Sequence, residues 1–336
     1  MSGSSLVLRA AVGYYYRESR GKAICRFQRL KTGAKGNGSK YIGFWRLEYM
    51  SILSGLDALG LGNLSSYDIY EKDAMAPGDD SEVKKDGTAR RRMELLSEKD
   101  YVFPKTYVCP VCDHEFKNPT MRSNKARLVG TDMDLRPRYS KVDPIKYDVI
   151  CCPVCGYAAL TRYFDQLTYP QARLVRESIS KNFSSLEEKD ILSYDDALIR
   201  YQLALGNAMV KRARTSEKAY ICLKMAWLVR GKTEAFDFDA ADKNGGVYQA
   251  KEQEKELIKN ALEGFLSARQ NETPPICGMD NVTIDYLVAA LAYECGEIEI
   301  SAKYIGAVLQ NKGAGKRMKD MARELKEKVV AELRGS

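Results

Sequence analysis

The chain has 336 residues, 45% hydrophobic and 29% charged, with nine cysteines, one histidine and a net charge of +8. Two or three domains fit that length, and the composition is that of a soluble chain able to build a core. No apolar run approaches the roughly 18 residues of a membrane span, and Arg9 interrupts Leu6-Val7-Leu8, so neither a spanning helix nor a secretory leader is read.

Residues 1–49 hold Arg9, Arg17, Arg20, Lys22, Arg26, Arg29, Lys31, Lys35, Lys40 and Arg46 against only Glu18 and Glu48, which accounts for the whole net charge. They show no helical or strand periodicity and read as a disordered basic arm suited to phosphates. The preferred expectation is different: translation starts at Met50. Trp45-Arg46 can be encoded TGG-AGG, which contains the ribosome-binding core GGAGG, and three codons then lead to Met50. The stretch from Gly33 to Lys40 is not a phosphate-binding loop, because Ser39 precedes Lys40 and no strand or helix flanks it.

From residue 50 to 100, Ile52, Leu53, Leu56, Leu59, Leu61 and Leu64 form a short apolar segment. It lacks the basic face of an interfacial helix, so it is expected to pack or dock. A polar linker follows to Asp100, helical at most around 89–96, with Arg90-Arg91-Arg92 on a solvated face.

Tyr101 to Val108 reads as a strand and leads into Cys109-Pro110-Val111-Cys112. A near copy, Cys152-Pro153-Val154-Cys155, follows after 39 residues. Each hook places two sulfurs on one side of a tight turn, whose backbone N–H groups can stabilise thiolates. Cys109, Cys112, Cys152 and Cys155 are therefore the expected ligands of one structural Zn2+ per chain, in a zinc ribbon over 101–168. Gly156 follows the second hook, where a left-handed backbone is often needed. Four thiolates close the shell and leave no position for water or substrate. A thiol-redox pair is the alternative, but it needs one hook at a helix N-terminus in a βαβ setting. Cys151 falls out of register and reads as a buried thiol, and His114 as a surface or supporting group. Paired hooks without a secretory leader point to reduced thiols in the cytoplasm.

The insert between the hooks is basic. Arg122, Lys125, Arg127, Arg136 and Arg138 are candidate contacts to RNA or DNA. The competing reading is a solvated face that offsets thiolate charge. Strands are expected over 125–129, with Lys125 and Arg127 on one face, and over 146–150.

From Pro170 helical spacing takes over. A first helix is expected to about Phe183. Stripes follow at Leu198, Tyr201 and Leu205, at Ala219, Leu223 and Trp227, and at Leu257, Ala261 and Phe265. Ile284, Leu287 and Leu291 mark the next, then Ile298, Ala302, Ile305 and Leu309, and finally Met318, Met321, Leu325 and Val329. Cys295-Gly296-Glu297 resembles the tight turn of a tetratricopeptide hairpin, although no clean 34-residue period appears. The fold class is thus α+β: a basic arm (1–49), an apolar segment and linker (50–100), a small β zinc ribbon (101–168) and an all-α tetratricopeptide-like domain (169–336).

The chain also resembles an uncharacterised bacterial family, domain of unknown function twenty-two twenty-five, found mainly in Firmicutes. The matching stretches are Ser51 to Leu56, Gly60-Leu61-Gly62, both hooks with Gly156-Tyr157-Ala158, Ala226-Trp227-Leu228, Ile276 to Asp280 and Met318 to Arg323. The resemblance covers about 50–336 and implies an architecture rather than an activity. The function expected first is a non-enzymatic cytosolic adaptor whose helical half binds a protein or peptide. A nucleic-acid-binding ribbon and a thiol-redox protein follow.

Overall fold

The computed structural model describes residues 52–66, 68–70, 98–235 and 246–335. The basic arm, the suspected start region and the polar linker over 71–97, with its 89–96 stretch, lie outside the described residues. Seven α-helices and three two-stranded antiparallel sheets make the described residues an α+β unit.

Each sheet is a hairpin. β1 (Val102–Val108) pairs with β2 (Glu115–Met121), β3 (Arg127–Thr131) with β4 (Pro137–Ser140), and β5 (Val149–Cys151) with β6 (Ala158–Leu160). The two cysteine hooks are the turns of the first and third hairpins. Two strand expectations in the insert shift. β3 begins at Arg127, and Lys125 sits in the turn before it, beside Asn124 at a φ of 60°. Lys125 and Arg127 therefore do not share a strand face. Lys146 belongs to a short 3-10 turn, Pro144–Tyr147, because Asp143 caps it by accepting from the Ile145 N–H at 3.0 Å and Pro144 suits its first position.

Helix α1 (Tyr169–Val175) opens on Pro170 behind a Thr168–Gln171 capping box. It continues as a π turn and stops at Ser180, short of Phe183. α2 (Tyr194–Val210) and α5 (Asn281–Glu294) are capped by the side chains of Ser193 and Asp280. α3 (Thr215–Ala235), α4 (Gly246–Asn271), α6 (Ile298–Gln310) and α7 (Lys316–Gly335) complete the set. Sequential helices pack on each other: α3 on α4, α5 on α6, and α6 on α7. On α6 the buried stripe runs through Ser301, Ile305 and Val308 rather than Ala302, since the Ser301 hydroxyl turns inward to donate to the Ala289 carbonyl at 2.8 Å.

One core joins the hooks to the helices. Leu56, Leu61 and Leu64 lie in it with Cys109, Cys152, Tyr157 and the inner faces of α2 to α5. The expected packing segment thus docks, beside Gly206 of α2. A Cβ on Gly206 would meet Leu64 at 2.9 Å, so the missing side chain permits the approach. Each fully buried leucine contributes roughly 1.5–3 kcal/mol, so the segment adds several to the fold. A smaller core holds α5, α6 and α7 together around Tyr286, Ile305 and Leu325. Among the described residues no helix is long and apolar enough to cross a membrane.

Candidate metal centre

The two hooks share one backbone plan. In the first, the Cys109 N–H donates to the His114 carbonyl at 3.0 Å and the Asp113 N–H donates back to the Cys109 carbonyl at 2.9 Å. In the second, the Cys152 N–H donates to the Tyr157 carbonyl at 2.8 Å and the Gly156 N–H to the Cys152 carbonyl at 3.2 Å. The residue after each second cysteine is left-handed, Asp113 at 59° and Gly156 at 73°. That turn points both sulfurs of a hook to the same side, and the Val111 N–H donates to Cys109 Sγ at 3.4 Å.

The hairpins bring the hooks face to face. All four sulfurs, of Cys109, Cys112, Cys152 and Cys155, lie within 4.8 Å of one another and could hold a metal ion. Cys109 Sγ is 3.5 Å from Cys155 Sγ, and Cys112 Sγ is 3.7 Å from Cys152 Sγ. A tetrahedral zinc with Zn–S bonds of about 2.3 Å requires sulfurs about 3.8 Å apart, so the donor set fits. Three of the four cysteines are buried and Cys112 is exposed. The sulfurs act strongly on each other. Hydrogen bonds from Cys109 and Cys155 hold the Cys152 thiol far below the ordinary range, and the hydrogen bond to Cys152 pushes Cys109 up to about 12. Crowded thiols that divide their protons in this way are a ready site for a cation that replaces the protons.

Cys151 and His114 stand outside the cluster. Burial pushes the Cys151 thiol up to about 12, and the His114 side chain is exposed. The residues that align the hooks were not singled out from the sequence. Asn118 of β2 donates to the Val149 carbonyl and accepts from the Cys151 N–H, both at 3.4 Å, and so laces the first hairpin to the third. Its oxygen also accepts from Arg200 of α2 at 2.9 Å. Arg200 is buried, and no carboxylate reaches it among the described residues. Arg176 donates to the Val111 carbonyl at 2.7 Å and Asn207 of α2 to the Gly156 carbonyl at 2.9 Å, one brace per hook. The available signals were Asn118 two places from Phe116 on an inward strand face and Arg200 within the apolar stripe of α2.

The five basic candidates of the insert divide. Arg136 is 4% exposed and pairs with Glu234 at 3.1 Å. Arg138 grips both Glu234 oxygens, at 2.6 and 2.8 Å, and Asp132 at 2.6 Å. Arg230 of α3 continues the network to Asp134 at 2.9 Å, Glu254 at 2.6 Å and Glu294 at 3.2 Å. These arginines tie the β3–β4 hairpin to α3, α4 and α5. Arg122 lies over the Phe103 ring, 5.3 Å from its centroid. Lys125 and Arg127 are exposed, with no ion pair among the described residues.

No curated protein and no solved structure matches this chain. A family model described as "Uncharacterized protein conserved in bacteria (DUF2225)" matches residues 102–329, a span that contains both hooks, Asn118, the arginine network and helices α1 to α6. The chain that carries this four-cysteine centre therefore belongs to that family of uncharacterized bacterial proteins.

Proposed function

We propose that the chain is a non-enzymatic adaptor of the cytosol. One zinc ion held by Cys109, Cys112, Cys152 and Cys155 staples a zinc-ribbon module, and a tetratricopeptide-like helical half binds a protein or peptide. The observation that carries this reading is the closed thiol set, with its sulfurs within 4.8 Å of one another. Four thiolates complete a tetrahedral shell, which is the pattern of a structural site. When bound, zinc supplies folding free energy on the order of 10 kcal/mol. Four thiolates and one Zn2+ carry two net negative charges. Buried Arg200 beside Asn118, and Arg176 at the first hook, supply positive charge to offset them.

The sequential packing of α3 to α7 supports the helical-repeat part, as does Gly296 at a φ of 78° between α5 and α6. Stacked helical pairs of this kind present extended binding faces. A second reading, nucleic-acid binding, rests on Lys125 and Arg127, which are exposed and unpaired among the described residues. Arg136 and Arg138 favour it less, because their guanidinium groups are already held by carboxylates.

A pull-down from the native bacterium with the full chain as bait, run with and without nuclease, separates the two. The adaptor reading predicts protein partners retained after nuclease. Capture that disappears with nuclease would overturn it. The second reading would then predict a salt-sensitive gel shift weakened by Lys125→Ala/Arg127→Ala.

A further inference from the structure

A cavity of about 490 Å³ opens between α3 and the hairpins, apart from the cysteine centre. Tyr220, Lys224 and Trp227 line it from α3, at a spacing that places them on one helix face. Tyr139 of β4 lines it too, with Tyr147 and Asp148 from the turn before β5. The volume lies within the range of about 300–1,000 Å³ that small-molecule pockets occupy.

The polar handles of two rings are already used. The Tyr147 hydroxyl donates to Glu98 at 2.6 Å, and Trp227 Nε1 donates to Asp134 at 2.8 Å. Both rings are thereby held in place and offer the cavity only carbon surface. The Tyr139 hydroxyl has no hydrogen-bond partner among the described residues. One ion pair, Lys224 with Asp148, interrupts the aromatic lining. The Lys224 ammonium also sits 4.5 Å from the Tyr220 ring centroid. An ammonium has three donors and a carboxylate two acceptor oxygens, so the pair keeps both a donor and an acceptor in reserve.

We infer that this cavity binds an uncharged planar heteroaromatic ring bearing a lactam edge, the C=O and adjacent N–H found in purine and pyrimidine bases. The ring stacks among the aromatic side chains, which every flat π-system can use. Its C=O accepts from Lys224 and its N–H donates to Asp148. The ion pair has no net charge, so a phosphorylated ligand would bring in negative charge that nothing in the cavity balances. A plain hydrocarbon ring would fill the space but leave the spare donor and acceptor unpaired.

Titration calorimetry of the full chain with hypoxanthine, 1-methylhypoxanthine, uracil and inosine 5′-monophosphate tests this assignment. Hypoxanthine or uracil is expected to bind once per chain. The methylated base, whose lactam N–H is blocked, and the phosphorylated nucleoside should bind at least about tenfold more weakly. Tyr139→Ala should weaken binding about tenfold or more by removing one stacking face, with an unchanged circular dichroism spectrum. Replacing the ion pair by apolar groups, Lys224→Met with Asp148→Leu, keeps the fold filled and should erase the preference for hypoxanthine over its methyl derivative. Absence of saturable binding by both bases at about 1 mM overturns the assignment. Equal binding of the methylated or phosphorylated probe also overturns it, as does full binding by a folded Tyr139→Ala protein.

Discussion

Asp113 and Gly156 occupy the same place in the two hooks, and both are left-handed. Their surroundings differ. A Cβ on Gly156 would stand 2.6 Å from two atoms of the Phe183 ring, whereas Asp113 carries its side chain into solvent. Gly156→Ala therefore meets both a backbone cost and a ring it cannot avoid. We expect it to lower stability by about 2–4 kcal/mol in metal-replete buffer, read by thermal denaturation. A loss below about 0.5 kcal/mol would show that the second hook tolerates another shape. At this scale the sequence was informative. The repeated Cys-Pro-Val-Cys identified the four sulfurs, and its register separated Cys152 from Cys151. Asp113 was not readable, because an aspartate in that conformation leaves no mark in a spacing pattern.

Between elements, the alignment of the hooks depends on polar side chains in a buried seam. Asn118 reaches β5 from β2 and accepts from Arg200, so its removal loosens two hairpins and strands a buried guanidinium. Asn118→Ala should cost about 2–4 kcal/mol in urea denaturation, more than one ordinary hydrogen bond, because the buried cation loses its acceptor. A cost under about 1 kcal/mol would mean that water replaces the lacing. The helices were readable because long apolar stripes with caps and Pro170 leave a strong periodic signal. The strands of the insert were not. β3 is exposed almost throughout, so it has no alternation between a core face and a solvent face. The partners of the arginines could not be read for a related reason. Glu234, which holds Arg136 and Arg138, lies on α3 and far away in the chain. No local pattern announces such a partner.

Across the whole molecule, the hooks are not an appendage. Cys109, Cys152 and Cys155 share one core with the Leu56–Leu64 segment and with α2 to α5. The ion pairs of Arg136, Arg138 and Arg230 join the hairpins to the same helices. A metal held by the four cysteines would therefore fix the floor against which the helices pack. Its loss should be felt well beyond the cysteines, as a drop in the melting temperature of the helical signal. The decisive measurement combines metal content with stability. Purified chain is analysed for zinc by atomic spectroscopy, then melted by far-UV circular dichroism before and after chelation, with Cys109→Ser in parallel. A structural zinc site predicts one zinc per chain, a large fall in melting temperature on chelation that added zinc reverses, and a Cys109→Ser protein that resembles the chelated form. A chain that carries no zinc, or that melts at the same temperature with and without it, would rule out a structural zinc at the hooks.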